Sequence, residues 1–141
     1  MEILYKYISA ALAGLCALLC PIAPLVATAL VFIAIDFVTG IMASRVVARR
    51  EGREWWLESR KAWHTIFKAG FTAVAIIMMW LIDSILLDFM DLNLANLFTG
   101  FVCGVELWSF LENATAISDS PLFGWLSRWV KRRVTREVDD E

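Results

Sequence analysis

All thirteen Lys and Arg residues of this 141-residue chain fall in three patches. They are Lys6, the stretch from Arg45 to Lys68, and the stretch from Arg128 to Arg136. Between them lie two cation-free, strongly apolar spans, Tyr7 to Ser44 and Ala69 to Ser127. Insertion into a bilayer holds short cationic segments on the cytoplasmic side, so cations that alternate with long apolar blocks trace a path through a membrane. With 60% hydrophobic residues, against about 45–50% in ordinary soluble domains, the excess apolar surface needs a solvent other than water. The expectation is an all-α integral membrane protein of the bacterial inner (cytoplasmic) membrane, with one domain.

Crossing a hydrocarbon core of about 30 Å takes about 20 helical residues. The uncharged run from Ile8 to Ile35 is too long for one comfortable crossing and is interrupted by Pro21 and Pro24. Proline lacks a backbone donor and clashes with the preceding turn, so the Pro-x-x-Pro is read as a hairpin tip. Helices are expected at about 3–20, 22–47, 63–87 and 94–117, making a transmembrane domain of residues 1–118 with a cytoplasmic basic loop at 45–62. Four crossings put every cation and both termini on one side. The alternative, a single kinked first helix and three crossings, displaces only Lys6 and the amino terminus.

Residues 121–138 place Leu122, Trp125, Leu126, Trp129, Val130 and Val134 at helical spacing, with Arg128, Lys131, Arg132 and Arg136 mostly opposite. That is the pattern of an amphipathic basic helix lying at a lipid surface, and an acidic tail follows at 139–141. Trp55, Trp56, Trp63, Trp125 and Trp129 fall on the same expected face, as anchors at a membrane interface do.

Charges inside apolar helices are costly, so each needs a partner or a purpose. At 100° per residue, Asn96, Thr99, Cys103, Glu106, Ser109 and Asn113 share one face of the last crossing. Thr28, Phe32, Asp36, Thr39 and Ala43 align on the second, and Thr65, Lys68, Thr72, Ala75, Met79 and Asp83 on the third. Two readings of these seams stand side by side. They meet in a helical core and satisfy one another, or they line water once several copies assemble. Lys68 is paired by expected depth with Asp36 or Glu112, Glu106 being closer to the midplane. Asp83 is placed at the outer interface with Asp88 and Asp91. Gly14 with its alanine neighbours, Gly40 with Ser44, and Gly100 with Gly104 supply small residues for close helix packing.

The remaining chemistry is sparse. Cys16, Cys20 and Cys103 have neither disulfide nor zinc spacing, and His64 is the only histidine. No Ser/His/Asp set, H-E-x-x-H or glycine-rich phosphate loop occurs. Neither an enzyme nor a cofactor is expected, and the apolar stripe of the basic tail favours lipid over nucleic acid.

Two local patterns go further. Asp36-Phe37-Val38-Thr39-Gly40 ends an apolar helix just before the cationic loop, and Glu106-Leu107-Trp108-Ser109-Phe110-Leu111-Glu112-Asn113 lies in the last crossing. In this order, over about Val31 to Leu122, they resemble the phage holin family associated with toxin secretion and phage lysis, with its D-x-x-T-G and later E-x-x-S-x-x-E-N. The resemblance marks Asp36, Thr39, Gly40, Glu106, Ser109, Glu112 and Asn113. It implies a homo-oligomer in the lipid bilayer that opens lesions through which an endolysin or a secreted toxin escapes. The Trp-rich loop and the basic tail depart from the pattern. A small oligomeric channel or transporter, or a membrane scaffold subunit without lytic role, is the alternative.

Overall fold

A computed structural model describes residues 1–56, 59–87, 89, 90, 92–118, 120, 121, 123–126, 128, 129 and 132. Among these the chain is helical with no strand. Helix α1 (Glu2–Leu19) passes through a 3-10 turn (Cys20–Ile22) into α2 (Ala23–Arg50). Helix α3 (Ser59–Leu81) ends in a π-helical turn (Ile82–Leu86), and α4 is Leu94–Ser118. Among the described residues, three helical runs are long and apolar enough to cross a membrane: Glu2–Arg50, Ser59–Leu86 and Leu94–Ser118.

The reversal expected at Pro21 and Pro24 is not seen in this conformation. Leu19, Cys20, Ile22 and Ala23 all keep right-handed helical dihedrals, so α1 runs on into α2. The reason is positional. Each proline sits in the first turn of the helix it opens, where its missing N–H has no partner to lose. Lys6 is thereby carried away from the basic loop, as in the three-crossing alternative. The run of 49 residues, about 73 Å at helical rise, has the length of two crossings, so four helices are compatible with it.

Helices α2, α3 and α4 form the body, antiparallel in succession, with α2 against α4 the most extensive contact. Alanines make that contact close: Ala29, Ala43 and Ala48 of α2 and Ala95 and Ala114 of α4 are buried. Ile33, Ile76 and Leu111 fill the space between the helices. Of the glycines expected to serve this purpose, Gly40 lies at this contact, and Gly14, Gly100 and Gly104 face open space in the separate molecule. A Cβ added at Gly14, Gly100 or Gly104 would meet nothing within 4 Å, and at Gly40 only Asn113 Nδ2 at 3.5 Å. By contrast α1 packs chiefly on the 3-10 turn after it, and Ile3, Leu4, Tyr5, Tyr7 and Leu12 are all exposed. Large apolar side chains also cover the outside of the body, among them Ile66, Phe67, Phe71, Leu97 and Phe101, as suits contact with hydrocarbon.

The basic end is built by backbone chemistry. Gly52, at φ 65°, closes α2: Arg53 N–H donates to Ala48 O at 2.9 Å and Gly52 N–H to Arg49 O at 3.3 Å. These two bonds are the Schellman arrangement, which needs a left-handed residue just past the helix. Of the carboxyl-terminal segment, Pro121, Phe123–Leu126, Arg128, Trp129 and Arg132 are helical. The rest of the expected amphipathic stripe (Leu122, Val130, Val134, Lys131 and Arg136) and the tail at 139–141 lie outside the described residues. The tail starts against α4, since a Cβ on Gly124 would sit 3.7 Å from the Thr115 methyl.

Candidate functional site: a charged junction between three helices

Asp36 stands near the middle of α2, and Glu106 twelve residues from either end of α4. Lys68 lies nine residues into α3, running the other way. The antiparallel arrangement brings all three to one level. Lys68 Nζ donates to Glu106 Oε2 at 2.7 Å and stands 3.9 Å from Asp36 Oδ2. Glu106 is 2% exposed, so its charge depends wholly on this partner. Removing a charge from its counter-ion in such a place leaves it uncompensated, at a cost of about 3–5 kcal/mol.

Asn113, two turns further along α4, ties Asp36 from the other side. Its Nδ2 donates to Asp36 Oδ1 at 3.0 Å and lies 3.4 Å from Thr39 Oγ1. The Thr39 hydroxyl donates back to the helix, to Ile35 O at 2.9 Å or Asp36 O at 3.0 Å, and so presents its lone pairs to Asn113. Ser109, one turn before Asn113, lines the same cleft as Asp36. The polar seams of α2, α3 and α4 therefore converge, and Asp36, Thr39, Lys68, Glu106, Ser109 and Asn113 form one junction. Gly40 lies beside it, where an added Cβ would stand 3.5 Å from Asn113 Nδ2.

Two expected members behave differently. Glu112 does not reach Lys68: it is exposed and accepts the Trp108 indole N–H at 2.8 Å. It lies six residues beyond Glu106, about 9 Å of rise toward the basic end, and the register of α3 on α4 gives Lys68 to Glu106 instead. Asp83 sits at the opposite end, where its Oδ2 accepts the Ala95 N–H at 3.0 Å. Residue 95 is in the first turn of α4, so Asp83 caps that helix from the neighbouring one. Its Oδ1 is buried without a hydrogen bond among the described residues. Asp88 and Asp91, expected beside it, lie outside the described residues.

The tryptophans also divide. Trp55 is drawn onto α2: its indole N–H donates to Ser44 Oγ at 3.0 Å, and the Arg45 guanidinium lies 5.0 Å from its ring centroid. The other four, Trp56, Trp63, Trp125 and Trp129, are exposed, Trp56 at 70%. The fold-back of Trp55 was not legible in the spacing of charges. The E-G-R that ends α2 is the signal that could have shown the chain turning there. Beneath Trp55 a cleft of about 310 Å³ runs from Asp36 to the basic end between α2, α3 and α4.

The junction offers charge pairing and hydrogen bonding. Among the described residues there is no cluster of His, Cys, Asp and Glu able to hold a metal ion.

No curated protein and no solved structure matches the chain. The model of the bacteriophage holin family matches residues 13–132, a stretch that takes in the whole charged junction and both sequence motifs. This membrane protein, built of three long apolar helical runs around Asp36, Lys68 and Glu106, belongs to the bacteriophage holin family.

Proposed function

We propose that this chain assembles into oligomers in the bacterial cytoplasmic membrane and permeabilises it, releasing an endolysin or a toxin without performing a chemical step. The observation that carries the reading is the Lys68–Glu106 pair at 2.7 Å, which holds a buried carboxylate to α3 between otherwise apolar helices. Such a pair is stable only while each charge has the other or has water. In a separate molecule the three seams satisfy one another. In a dense assembly, a shift of α3 against α4 exchanges that pairing for water, and the same side chains then line an opening.

The basic loop and tail are placed on the cytoplasmic face by their cations. The amino terminus joins them there if the first helical run folds at Pro21–Pro24 into two crossings. A reporter fused to the amino terminus reads the side directly.

The test is expression in a bacterial host with membrane potential and the size of escaping solutes recorded together. Abrupt loss of potential with escape of large solutes is the expected outcome. Purified protein that never releases dye from liposomes, even at high density, contradicts the lesion mechanism. A second reading, a small channel gated by Lys68 and Glu106, draws on the same pair. It requires ion-selective flux abolished by Glu106→Gln, with large solutes retained.

A further inference from the structure

We propose that the cleft beneath Trp55 binds the headgroup of an amine-bearing phospholipid, its ammonium turned toward Asp36 and its phosphate held by Lys61. This goes beyond permeabilisation and depends only on the chain being a membrane protein. The cleft, about 310 Å³, is lined by Asp36, Ser44, Trp55, Trp56, Lys61 and Thr65 among others. Its two charges are opposite in sign and lie at opposite ends. Asp36 is at the level of Lys68, and Lys61 is seven residues before Lys68 on α3, about 10 Å of rise nearer the basic end.

Each wall contributes a requirement. Asp36 gives Oδ1 to Asn113 at 3.0 Å, whereas Oδ2 stands 3.9 Å from Lys68, beyond hydrogen-bond length. A carboxylate has about four acceptor sites, so Asp36 retains capacity for an ammonium donor. A purely anionic ligand meets Asp36, and a purely cationic one meets Lys61, so a zwitterion is the charge-complementary choice. Trp55 and Trp56 flank the mouth, as indoles do beside headgroups at a membrane interface. Lys61 is exposed, makes no ion pair among the described residues, and supplies the point charge suited to phosphate. The nearby apolar exteriors of α2 and α3 leave hydrocarbon room for acyl chains, which favours a lipid over a soluble phosphate ester.

The test uses the full chain in detergent micelles, with retained lipid counted by native mass spectrometry. Phosphatidylethanolamine, phosphatidylcholine and phosphatidylglycerol are titrated separately. The ethanolamine lipid is expected to be retained about tenfold more strongly than the glycerol lipid, and more strongly than the choline lipid, whose trimethylated nitrogen cannot donate a hydrogen bond. Lys61→Glu should lower that retention about tenfold, while Arg60→Glu, the same charge change on the adjacent residue, should leave it unchanged. Equal retention of all three lipids overturns the proposal, as does an equal loss in the two variants. Competition by soluble glycerophosphoethanolamine at matched concentration would uphold the headgroup chemistry and overturn a lipid as its source.

Discussion

The middle of the molecule and its two ends use polar side chains in different ways. At mid-height, Lys68, Glu106, Asp36 and Asn113 bind three helices to one another, and every bond crosses between elements. At the ends, the polar groups finish helices: Gly52 and Arg53 close α2, Trp55 lies back on Ser44, and Asp83 caps α4. The difference follows from solvent. An end group deprived of its partner can turn to water or headgroups. At mid-height the buried Glu106 carboxylate has only another side chain, so the loss of Lys68 is felt by the whole body.

The largest effect is therefore expected at Lys68. Lys68→Met strands Glu106 and should destabilise the body by about 3–5 kcal/mol, read as a fall in the midpoint of unfolding in mixed micelles. Asn113→Ala removes a donor from a half-buried carboxylate and should cost about 1–3 kcal/mol by the same measurement. At the far end, Asp83→Ala deletes the cap on α4, a loss of about 1 kcal/mol. Its signature is faster hydrogen exchange at the Ala95 amide with no change near Glu106. Ser44→Ala should cost about 0.5–1.5 kcal/mol and raise exchange only in the Trp55 segment. Smallest of all, Gly100→Ala and Gly104→Ala meet open space and should change the stability of the separate molecule by less than about 0.5 kcal/mol. If the ends proved as sensitive as the middle, the contrast would fail.

Much of this arrangement was legible in the sequence, and what was not has a common cause. Helical periodicity fixes direction around an axis, and Asp36, Lys68 and Glu106, each on its helix's polar seam, do meet. Periodicity says nothing of how far one helix slides along its neighbour. Of the two partners expected for Lys68, Asp36 stands 3.9 Å away and Glu112 is out of reach, while the shortest pairing, at 2.7 Å, is with Glu106. The same blindness along the axis hid Asp83, whose partner is a backbone N–H with no sequence signature. Small-residue packing is expected at Gly14, Gly100 and Gly104, and within the separate molecule the buried small residues of α2 and α4 are alanines. Gly and Ala both permit close approach, and only the contact itself distinguishes them. Pro21 and Pro24 read as a break because proline breaks helix interiors. At the first turn of a new helix it does not, and local composition alone leaves both outcomes open.

The central claim is that Lys68 and Glu106 act as one unit holding α3 to α4. A double-mutant cycle with Lys68→Met, Glu106→Met and the pair, scored by unfolding in micelles, measures that directly. The account predicts that the pair is less damaged than either single variant and that the coupling exceeds about 1.5 kcal/mol. Effects that simply add, within about 0.5 kcal/mol, would contradict it.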